Sequence, residues 1–233
     1  MRIARSIQLS QDNGIVHKYW KCHNSEFLLN TEEVKKLCQR STDVGLNHLS
    51  VQNNVQLHAF CIMDNHCHQL LTYLNDSHFL SKYMHVAHSL FGRVFNDLHD
   101  RSGKVANERP KTPLIQNEEH AMRVHFYIEA NPIKARMVKL ASHLAVMEHN
   151  SYRFYAYGIK SVFTKNLILP SWYLELGKTD KERRRRYRNL FEEYIRGYLN
   201  IPFKVLSPFI GEQLWVVRQE DRVSMEKTPK PPH

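Results

Sequence analysis

The run of residues 55–74, VQLHAFCIMDNHCHQLLTYL, constrains the fold more than any other part of the chain. Val55, Leu57, Ala59, Cys61 and Met63 recur at period two, Asp64-Asn65 supplies a turn, and a second apolar run follows at once. Two such runs about a two-residue turn predict a β-hairpin whose apolar face lies on one side. A pure helical bundle is thereby excluded. Residues 15–22 (IVHKYWKC), β-branched and aromatic, read as an earlier strand.

Helices fit between and after these strands. Asn30 with Glu33 makes a capping box ahead of Val34, Leu37 and Cys38, predicting a helix that reaches Gly45. Ser77 can cap a longer one, on which Leu80, Tyr83, Met84, Ala87, Leu90, Phe91, Val94, Phe95 and Leu98 form one unbroken stripe. Residues 100–116 carry Gly103, Pro110 and Pro113 and read as a loop with a short edge strand at 113–115. Asn117 caps a further helix with two acids in its first turn. That helix is expected to end before Asn131-Pro132, because a residue preceding proline avoids the α region, which puts Tyr127 in its last turn. The order of strand, helix, hairpin, helix, edge strand and helix predicts an α+β, ferredoxin-like sandwich, an antiparallel sheet with helices on one face. It would occupy residues 1–155. An aromatic and basic helical extension follows over 156–220, with Tyr187, Leu190, Phe191, Tyr194, Ile195 and Tyr198 on one stripe, and 221–233 is expected to be a disordered tail.

Charge narrows the partners. Lys and Arg number 33 against 23 Asp and Glu, a balance of +10 that favours a polyanion, since phosphate contacts supply most non-specific nucleic-acid affinity. The run Arg183-Arg184-Arg185-Arg186, ordinarily a solvated face, is the candidate phosphate contact. No stretch approaches the roughly 18 apolar residues of a membrane span, and Met1 to Ser6 lead into polar residues, so no membrane association and a cytoplasmic location are expected. Cys22, Cys38, Cys61 and Cys67 form no CxxC pair and read as reduced structural thiols.

Two segments carry chemistry. His66 and His68 are at i and i+2 on a strand and project to one face, close enough to hold one cation; on their own they would more often be two satisfied histidines. Tyr127 and Asn131 are at i and i+4 on one helix face, where a phenol and an amide oxygen could reach the same point. By strand alternation Cys67 faces away from the histidines, which disfavours a zinc site built from histidines and cysteines.

Taken together these segments resemble the single-tyrosine HUH transposases of insertion sequences, within them the REP-associated tyrosine transposases. The resemblance rests on MDNHCHQLL, on Leu80-Ser81-Lys82-Tyr83-Met84 and on YIEANPIKA, in that order, and spans roughly residues 15–155. Asp64 stands where the family usually has proline, Cys22-His23-Asn24 replaces Arg-Gly-Asn, and GKVANERPKTPLIQ lacks the usual Trp-containing segment. What the resemblance implies is a site-specific nickase and strand transferase acting on single-stranded DNA, often folded as a hairpin. Tyr127 would attack phosphorus to form a 5′-phosphotyrosine, and His66, His68 and Asn131 would hold Mg²⁺ or Mn²⁺. A protein that kept the fold and binds nucleic acid without the reaction is the milder reading. Whether Tyr127 serves its own subunit or a partner's in a homodimer is left open.

Overall fold

The computed structural model describes residues 3–199 and 207–227. Its first half contains α1 (Arg5–Gln8), β1 (Gly14–Lys21), α2 (Glu32–Leu46), β2 (Val55–Ile62), β3 (His66–Tyr73) and α3 (Ser77–Leu98). Then come β4 (Leu114–Ile115), α4 (Glu118–Lys134), α5 (Tyr152–Tyr157), α6 (Ser171–Glu175), α7 (Asp180–Tyr198), β5 (Phe209–Ile210) and α8 (Gln213–Lys227). The sheet order is β2-β3-β1-β4-β5, antiparallel except for the parallel β4–β5 pair. The class is α+β, as expected.

Two details of that expectation need correction. The hairpin does not keep one apolar face, because the β2–β3 register slips between Leu57 and Ala59, so that β2 carries an extra residue there. A bulge of this kind inverts the alternation beyond it. Val55, Leu57, Phe60 and Ile62 therefore enter one core, whereas Ala59, Cys61 and Met63 enter the other. The bulged His58 is held by Nδ1 on the Ile168 carbonyl and Nε2 on Thr72 Oγ1, each at 2.9 Å. Helices consequently cover both faces. Val34 and Cys38 of α2 and Leu80, Tyr83 and Phe91 of α3 pack on one side; Ala121, Val124 and Ile128 of α4 pack on the other, against Ala59, Cys61, Leu70 and Ile115.

The strand at Leu114–Ile115 is also not an edge, since β5, far along the chain, pairs with it and buries Phe209. Cap positions shift by one. Thr31, not Asn30, accepts from the Val34 amide at 3.3 Å, and Asp76, not Ser77, accepts from the His78 amide at 2.6 Å, because each of these two residues has the extended backbone an N-cap requires. Asn117 caps α4 as predicted.

Most consequential is α4, which runs through Pro132 to Lys134 and leaves Tyr127 two turns from its end, not in the last turn. A proline at 132 cannot donate to the Ile128 carbonyl. Asn131 Nδ2 takes that place, donating to Ile128 O at 3.2 Å and Tyr127 O at 2.8 Å, so the helix continues for one more turn before Arg136 adopts a left-handed φ of 59°.

The extension joins the same core. Tyr187 and Phe191 of α7 are fully buried and meet Phe126 of α4 edge-on at 5.5 and 5.7 Å, with Trp172 at 5.9 Å. Trp172, Tyr173, Tyr152 and Tyr155 are core residues and offer no stacking platform. The 155/156 division falls inside α5, and 221–227, expected to be disordered, complete α8, where Val223 is buried and Arg222 donates to the Ile7 and Gln8 carbonyls. The rest of that tail, 228–233, lies outside the described residues. Among the described residues no helix is long and apolar enough to cross a membrane.

Candidate active site

β3 alternates, so His66 and His68 face α4 while Cys67 joins Trp20 in the α2–α3 core. The two imidazoles stand edge to face with centroids 4.9 Å apart. Each is held at Nδ1. Asn65 Oδ1 lies 2.6 Å from His66 Nδ1, and His17 Nε2 on β1 lies 2.9 Å from His68 Nδ1. When Nδ1 carries the proton into such a contact, Nε2 is left with its lone pair.

α4 brings the second pair. The Tyr127 ring stands 5.7 Å from His68 and 5.8 Å from His17, edge-on to both. Asn131 gives both of its described N–H contacts to helix carbonyls, which leaves Oδ1 as its remaining polar atom, and Asn131 acts to raise the His66 pKa against the effect of burial. One amide thus repairs the helix at Pro132 and lies near a histidine. Lys134 Nζ lies 5.2 Å over the Tyr127 ring. Asp64 is fixed by a 2.6 Å ion pair with Lys35 of α2, which anchors the turn before His66.

The electrostatics favour neutral ligands. Burial, then Lys21, lowers His66 to about 4; burial, then His17, His66, Lys21 and Lys134, holds His68 well below the usual imidazole value. Burial alone brings His17 to about 3. Neutral imidazole is the form that ligates metal. Burial, then Tyr19 and Cys61, pushes the Tyr127 phenol up, so it is protonated at neutral pH.

Of the residues expected from sequence, His66, His68, Tyr127 and Asn131 converge. The arginine run lies at the start of α7, where Asp180 engages Arg183 at 2.8 Å and Arg184 at 3.4 Å; Arg185 and Arg186 are exposed. Sequence reasoning missed His17 and Asn65. The signal for His17 was its i, i+2 spacing to Tyr19 on a strand, which puts both on the histidine face, but only strand pairing tells that β1 lies beside β3. Among the described residues no three His, Cys, Asp or Glu side chains group as a metal site, so a cation here would rely on two imidazoles and an amide oxygen.

No family model and no curated protein matches the chain. Among solved structures, that of a REP-associated tyrosine transposase bound to a REP hairpin is similar, with a TM-score of 0.48 and 16% sequence identity over 64% of this chain and 82% of that one.

Proposed function

We propose that this protein is a metal-dependent, site-specific single-stranded DNA endonuclease and strand transferase that works through a 5′-phosphotyrosine on Tyr127. The observation that carries this reading is the convergence of Tyr127, from a helix, on the paired histidines of β3, with Asn131 one turn further along that helix and close enough to His66 to influence its pKa. The donor set fits a divalent cation of the Mg²⁺ or Mn²⁺ kind, since both imidazoles have Nδ1 occupied and Asn131 bonds the helix through its N–H group, which leaves its oxygen as the ligand atom. Bound there, the cation would polarise the scissile phosphate and offset charge on the leaving oxygen.

The remaining steps belong to the chain. Tyr127 Oη attacks phosphorus and loses its proton; the bond from phosphorus to O3′ breaks, and that oxygen leaves as a 3′-hydroxyl after taking up a proton. One phosphodiester is exchanged for another, so the link can be reversed onto a second 3′-hydroxyl without a nucleotide cofactor. His17 and Asn65 keep the imidazoles in register, and Lys134 over the phenol ring adds positive potential where the phosphate would sit. Hairpin-forming DNA is the proposed substrate, with exposed Arg185 and Arg186 the members of the arginine run best placed to meet phosphate, Arg183 and Arg184 being engaged.

Tyr127→Phe tests the reading. The variant loses one oxygen and almost no volume, so it should stay folded and bind single strands, yet form no SDS-resistant protein–DNA adduct in Mn²⁺ and release no 3′-hydroxyl product. An undiminished adduct would place the nucleophile elsewhere.

A further inference from the structure

Beside the histidines, β1 and residues 107–111 enclose an open cleft of about 270 Å³ whose lining includes Tyr19, Lys21, Asn107, Glu108, Arg109 and Lys111. Its walls are held by main-chain bonds. Tyr19 and Lys111 exchange both amide–carbonyl contacts, at 3.0 and 2.9 Å, and the Asn107 amide donates to Lys21 O at 2.9 Å. The segment therefore lies along β1 as a strand would and presents its cations in fixed register with Lys21.

The cleft opens onto the site already described. Tyr19 and Lys21 share the histidine face of β1; the Tyr19 ring is 5.8 Å from His68, Lys111 Nζ is 5.7 Å from the Tyr19 centroid, and Lys21 is the register partner of His66. Lys21, Arg109 and Lys111 are all exposed, with Glu108 the one acidic side chain among the cleft's lining residues. Three cations against the single carboxylate of Glu108 leave the cleft net positive, and a like-charged cluster of this kind is relieved once an anion lies among it. Exposure on a rigid wall suits a backbone that passes through, whereas an enclosed small-molecule pocket would be deeper and more apolar.

We infer that this cleft holds the phosphates of the single strand next to the scissile bond, with Lys21, Arg109 and Lys111 each meeting a backbone phosphate. The inference rests on the reading of Tyr127 as a nucleophile toward DNA and adds where the strand runs.

Fluorescence anisotropy with a labelled single strand of about 20 nucleotides, titrated across salt, reads the number of contacts, since each phosphate neutralised on a single strand contributes about 0.7 to the log–log slope. The triple variant Lys21→Gln, Arg109→Gln, Lys111→Gln should flatten the slope by about 2 and weaken binding roughly a hundredfold at about 0.1 M salt. A charge-matched control, Lys36→Gln, Arg40→Gln, Arg93→Gln, changes exposed residues of α2 and α3 on the other side of the sheet. It should leave most of the slope intact. A cleft variant with the wild-type slope, or a control that flattens it equally, overturns the cleft while leaving Tyr127 untouched. Wild-type protein that binds no single strand brings down the functional reading, and the cleft with it. Circular dichroism and thermal melts of all three proteins confirm that folding is the same.

Discussion

Removing one hydroxyl group 60 residues from Tyr127 should loosen the wall that supports it. Glu129 of α4 is fully buried and accepts from Ser151 Oγ at 2.6 Å, from His125 Nε2 at 3.2 Å and from the Tyr187 hydroxyl of α7. Asn150 adds a contact to the Glu129 carbonyl at 2.9 Å. Tyr187→Phe keeps the ring in its aromatic cage, so no cavity opens, and takes away only the donor. A buried acceptor that loses one of three partners costs about 1–3 kcal/mol. For a chain of this length that is roughly a 2–12 °C fall in Tm, at about 2–4 °C per kcal/mol. Glu129→Ala instead strands three buried donors and opens a cavity, so its loss should be at least about 3 kcal/mol. Urea unfolding followed by circular dichroism gives both numbers, and the double variant should cost much less than their sum, because Tyr187 has nothing left to bond. If Tyr187→Phe shifts stability by less than about 0.5 kcal/mol, the extension is not pinned to α4 through this carboxyl group and the reasoning fails.

Other perturbations follow from the same contacts. His17→Ala frees His68 Nδ1, and Mn²⁺ affinity measured by calorimetry should fall about 10–100-fold, the usual effect of losing a residue that orients a ligand; unchanged affinity would remove His17 from the site. Lys18 is 3% exposed, with Nζ 2.7 Å from Gln69 Oε1, and burial lowers its pKa below 10.5. The unfolded chain then binds more protons between the lowered value and 10.5, so wild-type stability gains a contribution that rises with pH through that window. Lys18→Met should be neutral or stabilising by up to about 4 kcal/mol near pH 7, with the advantage shrinking toward pH 10.5; a difference that ignores pH would refute the assignment.

Much of the site could be read from residue spacing. His66 and His68 share a face because any strand alternates, and Tyr127 and Asn131 share one because any helix turns about once in 3.6 residues. The opposite orientation of Cys67 followed from the same rule, and the free buried thiols from the lack of any CxxC pair. The end of α4 did not, since the local rule for proline was overridden by the Asn131 side chain, which supplies the donor that Pro132 lacks. Nor did the bulge at His58, which depends on the Ile168 carbonyl more than 100 residues away, or β5 beside β4, or His17 behind His68. Spacing along the chain determines which side chains point the same way, because backbone geometry repeats over a few residues. Which of those faces meet is decided by strand register and core packing between distant segments, and only there do two histidines, a tyrosine and an amide become one site.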